Sequence, residues 1–186
     1  VSGVHEEVFW ISAVVLSLER LAYAAIWRNP AGFRWVCNRW LPETPPVDVL
    51  ARLFVLFKLL QCFMFLSWWI AHGDGLRPAA SATGPRIVGA LLVVAGQLLN
   101  AAVFVRLGRV GVFYGGRLGE VVPWRAGFPF SWFRHPQYVG TVVSIWGAFV
   151  LMRYPAVDWS VIPALETLYY AAGAYFEEQG EASEAD

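Results

Sequence analysis

Charge is what this chain has least of. Lysine and arginine number 14, aspartate and glutamate 14, and together they make 15% of 186 residues, with a formal net charge of zero. Soluble domains run near a quarter charged. Without a basic excess there is no footprint for nucleic acid. Cysteine is almost missing. Cys37 stands in a polar connection and Cys62 inside an apolar run, which argues against a disulfide, and no C-x-x-C or comparable spacing offers a metal site. The N-terminus lacks the basic start of a secretory signal. It reads His5-Glu6-Glu7, and the apolar run behind it carries Glu19 and Arg20, so a retained helix is expected there. Period-two alternation is absent, which excludes strands as the means of burying this chain.

What is abundant is apolar. Hydrophobic residues make 58% of the sequence and mean hydropathy is +0.50. They fall into five blocks, 8–27, 49–71, 87–105, 138–152 (or from Pro136) and 161–176. A spanning helix takes about 20 residues. The first three blocks meet that length, and the last two, joined by Arg153-Tyr-Pro-Ala-Val-Asp-Trp, read as a helical hairpin. The expected fold is an all-α integral membrane protein of about five transmembrane helices. It forms one domain, with N-terminal helices over 1–86, a core over 87–178 and an acidic tail over 179–186.

Arginines orient it. Arg28, Arg34 and Arg39 follow the first block, and Arg106, Arg109, Arg117, Arg125 and Arg134 follow the third, against Arg77 and Arg86 after the second. The positive-inside rule puts the first and third connections in the cytosol. Five spans then bring Glu177 and Glu178 to the same face as the 106–137 connection. That connection is long enough to be functional or to hold short elements of its own, and its GVFYGGRLG and GFPF runs suit a loop at the membrane surface. Trp40, Trp68, Trp69, Trp132 and Trp159 sit at block ends as interfacial anchors do.

Polar residues inside spans ask for a reason. Gly89, Gly96 and Asn100 share a face, which serves either close helix packing or the approach and hydrogen bonding of a flat ligand. Gly140, Ser144 and Gly147 read as packing residues. Glu166, Tyr170, Gly173 and Glu177 share a face of the last block, and Glu177-Glu178 is either a functional pair or the start of a solvated tail. Glu19-Arg20 reads as a self-satisfying pair or a head-group site. Arg52 and Lys58 read as side chains reaching for the cytosolic surface. Arg134-His135 stands where an aromatic run enters an apolar one, in FPFSWFRHPQYVG.

The run GQLLNAAVFVRLGRVGVFYGGRLG, then GFPF, RHPQYVG and YFEE, resembles the phospholipid N-methyltransferases over roughly 87–178. RHPQYVG is also similar to the RHPxYxG motif of isoprenylcysteine carboxyl methyltransferases. The resemblance implies S-adenosylmethionine as donor, S-adenosylhomocysteine as product, and a phosphatidylethanolamine-type amine within the bilayer as acceptor. The expected location is an endoplasmic reticulum-type or bacterial inner membrane, with the site on the cytosolic face, where the arginines orient it. Its Glu-Glu motif falls on Glu177-Glu178. Its Gly-X-Gly motif falls on Val94-Ala95-Gly96, where only the second glycine is kept. Donor contacts are then expected from Gly96, Asn100, Arg134, His135, Tyr138, Glu177 and Glu178, with His135 and Glu178 as catalytic groups. Residue type places Tyr114 and Trp124 at the methylated ammonium and Arg117 and Arg125 at the lipid phosphate. A carboxyl methyltransferase for prenylated cysteine and a non-catalytic lipid-binding membrane protein are the alternatives.

Overall fold

The computed structural model describes residues 2–73, 75–79, 82–122 and 126–185, with side chains described between 6 and 179. Among these residues there is no strand, and six helices follow one another. They are α1 (Ser2–Arg28), α2 (Pro30–Trp40), α3 (Pro46–His72), α4 (Thr83–Val112), α5 (Pro136–Arg153) and α6 (Val161–Ala185). Three stretches are long and apolar enough to cross a membrane, Glu6–Arg28, Pro46–His72 and Thr83–Val112. Their outer faces carry exposed Leu21, Leu59, Phe63, Leu91, Val94 and Leu98, apolar area that hydrocarbon rather than water covers.

Helix α2 departs from the expected plain connection. Asn29 caps it, accepting from the Gly32 amide at 2.8 Å, and Pro30 takes the first position, where its missing N–H costs nothing. Trp35 and Trp40 remain exposed on it. Helix α4 runs seven residues beyond the expected end at 105, turning at Gly108, whose φ of 65° suits glycine.

Helices α4 and α5 form the most intimate pair. Small residues meet there. A Cβ on Gly89 would lie 2.8 Å from the Gly147 carbonyl oxygen, and one on Gly147 would lie 2.8 Å from that of Gly89. Gly96 faces Gly140 and Ser144 in the same way. Backbones this close gain dispersion contacts that larger residues would forbid. Helices α5 and α6 are joined as a hairpin, fastened by Arg153 to Asp158 at 2.6 Å and by the Trp146 indole donating to Thr167 at 2.9 Å.

Helix α1 packs on α3 and α6. The core lies in two apolar clusters, one with Leu16, Phe65, Trp68, Phe149 and Ile162, the other with Ile26, Val47, Leu50, Val103 and Phe113. Between them, at matching positions on α1, α3 and α6, lies a polar layer of Glu19, Arg20, Lys58, Gln61, Glu166 and Tyr170. Two expectations change here. Lys58 does not reach for the surface. It turns inward and donates to Glu19 at 2.9 Å, to Gln61 at 3.1 Å and to Tyr170 at 3.1 Å, because three acceptors inside serve an ammonium better than a long reach past apolar neighbours. Trp68 is no interfacial anchor. It is buried and stacks on His72 with ring centres 3.8 Å apart.

Candidate functional site

Helix α5 begins where a proline allows it to. Pro136 takes its first turn and His135 is its cap residue, with a carbonyl that accepts from the amides of Tyr138 and Val139 at 3.1 Å each. That anchors the His135 backbone and leaves its ring to look sideways. The ring lies parallel to Tyr138, centres 5.6 Å apart. Across from both stands the later part of α6, which runs on past Glu178 to Ala185. His135 Nε2 is 3.1 Å from Glu178 Oε1, and its Nδ1 is 3.7 Å from Glu177 Oε2. Arg134 Nε is 3.2 Å from the same Glu178 oxygen. The motif RHPQYVG and the motif YFEE, over 40 residues apart in sequence, thus close on each other.

Glu177 has further partners. It accepts from the Tyr114 hydroxyl at 2.7 Å and from the Tyr138 hydroxyl. Tyr114 sits just past α4 with φ at 54°, a left-handed conformation that a tyrosine adopts only when its surroundings hold it there. Here its carbonyl accepts from the Leu118 amide at 3.0 Å, and its ring meets Trp27 edge-on at 5.0 Å and Tyr23 at 6.2 Å. Burial, then the nearby Tyr138 and Glu177, raise the Tyr114 phenol well above its ordinary range, so at neutral pH it is a donor.

Two openings meet at this cluster. An inner cavity lies between α3, α4 and α5, closed by α1 and α6, and is lined by Lys58, Thr141, Arg134 and His135 among others. A lateral groove lies between α1 and α6, lined by Leu21, Ala24, Trp27, Tyr169 and Phe176 among others. Arg20, Tyr23, Tyr114, Tyr138 and Glu177 line both, so these five form a shared wall. Arg20 carries its guanidinium over the Tyr170 ring at 3.6 Å and its Nη2 pairs with Glu19 at 3.5 Å, yet its Nε is buried without a hydrogen-bond partner, as is the Tyr23 hydroxyl. Buried donors left open in this way stand ready for an acceptor.

Of the expected site residues, the structure brings Tyr114, Arg134, His135, Tyr138, Glu177 and Glu178 together. Arg117 lies to one side, its guanidinium 4.0 Å above the Trp27 ring. Gly96 and Asn100 do not reach the cavity. Gly96 is pressed against α5, and Asn100 donates to Thr141 at 3.4 Å from behind the cavity wall. The close-packing reading of that helix face therefore describes it. Val94, in place of the first glycine of Gly-X-Gly, points outward and is exposed. Trp124 and Arg125 lie outside the described residues. Among the described residues no cluster of His, Cys, Asp and Glu could hold a metal ion. Tyr23 and Lys58 also line the inner cavity, and neither stands among the expected site residues. The signal was there, in ionisable and hydroxyl-bearing residues at equal depth on α1, α3 and α6.

A sequence model of a family described as phospholipid methyltransferase matches residues 85–180. The phosphatidyl-N-methylethanolamine N-methyltransferase of Arabidopsis thaliana is 31% identical over 135 residues, which are 73% of this chain and 74% of that protein. No solved structure matches.

Proposed function

The chain belongs to the phospholipid methyltransferase family, and we propose that it methylates the amine of phosphatidylethanolamine or its mono- and dimethyl forms with S-adenosylmethionine, on the cytosolic face. The observation that carries this reading is the closure of Glu177-Glu178 on Arg134-His135 at the mouth of the inner cavity. The cationic connections support the orientation, since Arg134 and Arg117 stand at that same end beside Glu178 and Trp27.

The donor set suits S-adenosylmethionine. The Glu178 carboxylate fits its ammonium or ribose hydroxyls, and the buried Arg20 Nε in the cavity wall, which has no hydrogen-bond partner, fits its carboxylate, alongside Arg134. When bound, the donor supplies an electrophilic methyl group on a sulfonium. The protein's part is positioning. Tyr114 and Tyr138 fix the Glu177 carboxylate, which holds the acceptor ammonium at the shared wall, and alignment of two reactants is worth more than any single contact.

An ammonium has no lone pair, so a proton must leave the acceptor nitrogen. His135, paired with the partly exposed Glu178 at 3.1 Å, offers that proton a path from cavity to solvent.

The test is an acceptor panel with labelled donor, comprising phosphatidylethanolamine, its mono- and dimethyl forms, and a farnesylcysteine analogue. Label is expected in the phospholipids. Label in the prenyl compound alone would overturn the reading. Glu177→Gln should weaken donor-dependent turnover by about tenfold or more.

A further inference from the structure

We infer that the lateral groove between α1 and α6 is the docking site of the acceptor phospholipid. Its tail would lie along α1, its phosphate would meet Arg28 and Arg117 at the groove mouth, and its amine would reach Glu177. This rests on the phospholipid methylation proposed above and goes beyond it by assigning the port, the phosphate partner on α1 and the direction of entry.

The groove has the shape and lining for a lipid. It follows α1 from Ser17 to Arg28, roughly 16 Å at 1.5 Å per residue, about half the hydrocarbon thickness of a bilayer. Its walls are Leu21, Ala24, Ala172 and Phe176, and of these Leu21 and Phe176 are themselves exposed, so the groove opens on apolar surface. A chain arriving from the bilayer crosses no polar barrier to enter.

Charge orders the head group. Arg28 lies over the Phe176 ring at 5.0 Å and Arg117 over the Trp27 ring at 4.0 Å. Both rings line the groove, so two guanidiniums flank its mouth. Arg28 forms no ion pair among the described residues. Behind them, Glu177 supplies the carboxylate. Cations at the entrance and an anion within are the complement of a zwitterion whose phosphate trails its ammonium. The inner cavity, across the shared wall, is left for the donor. The groove also draws one of its two walls from α1, which lies outside the span 85–180 matched by the family, so acceptor recognition is placed partly in the N-terminal helix.

The experiment uses the full chain in lipid nanodiscs and two variants. Ala24→Phe fills the groove, and Arg28→Gln removes the mouth cation. Phospholipid KM, kcat and donor affinity are measured for each. Both variants should raise the phospholipid KM about tenfold, with kcat and donor affinity within twofold of the unmodified chain. An unchanged KM overturns the groove assignment, and so does a loss of donor affinity equal to the rise in KM. A phosphatidylethanolamine with a diazirine in its acyl chain should crosslink to 17–28 and 169–176 and be displaced by excess phospholipid. Crosslinks confined to α3 and α4 overturn the assignment while leaving the activity standing. An unmodified chain that methylates no phospholipid at all removes both readings.

Discussion

Tyr114 donates its hydroxyl to Glu177 at 2.7 Å, joining the turn after the fourth helix to the later part of the last. The phenol is buried, and the carboxylate it serves is shared with Tyr138. Removing that donor should leave the fold intact and loosen the carboxylate. Tyr114→Phe is expected to lower kcat/KM for phospholipid methylation about tenfold, the size of one hydrogen bond to a charged group. Initial rates with labelled donor check it.

The same phenol carries a pH consequence. Its pKa is raised in the folded chain, so the folded state keeps a proton that the unfolded state gives up. Its contribution to stability is complete below the unfolded tyrosine value of about 10 and falls as pH rises beyond it. Thermal unfolding in detergent should drop above about pH 10, and Tyr114→Phe should shallow that drop.

Gly96→Val should destabilise the α4–α5 pair, since the added carbons meet the backbone of Gly140 and Ser144. A fall in Tm of roughly 3–10 °C is expected. Gly84→Val, where a Cβ meets nothing within 4 Å, is the control and should fall by much less.

Lys58→Met leaves Glu19 in the bundle without its 2.9 Å partner. The loss should be about 3 kcal/mol. The double variant Glu19→Gln with Lys58→Met should recover most of it, measured as a double-mutant cycle on unfolding free energy.

Length and hydropathy made the spanning helices legible, because a bilayer imposes both. The meeting of RHPQYVG with YFEE was legible as well, through the parity of the spans. Helix α2 is not legible from hydropathy although Asn29-Pro30 is a helix-start signal, because its 11 residues mix Arg34 and Arg39 with Trp35 and Trp40 and form no apolar run. Gly96 read equally as ligand contact and as packing. A lone sequence shows that a small residue is required and not which neighbour requires it. The same holds for Val94, whose outward direction follows from the rotation of α4 against α5. Lys58 was misjudged because its acceptors come from three different helices, and only their packing brings Glu19 and Tyr170 within reach.

The polar layer also sets an order of events during synthesis. Glu19 and Lys58 enter the membrane with the early helices and can satisfy each other at once. The hydroxyl of Tyr170, which completes the ammonium's set of acceptors, is 112 residues further along than Lys58. At typical elongation rates that is a wait of roughly 5–20 s. Until α6 arrives, the shared wall lacks Glu177, and neither opening has its final shape. The site is therefore among the last things the growing chain acquires, and a ribosome that stops before the final helix leaves a membrane-inserted protein with no wall on which two reactants could meet.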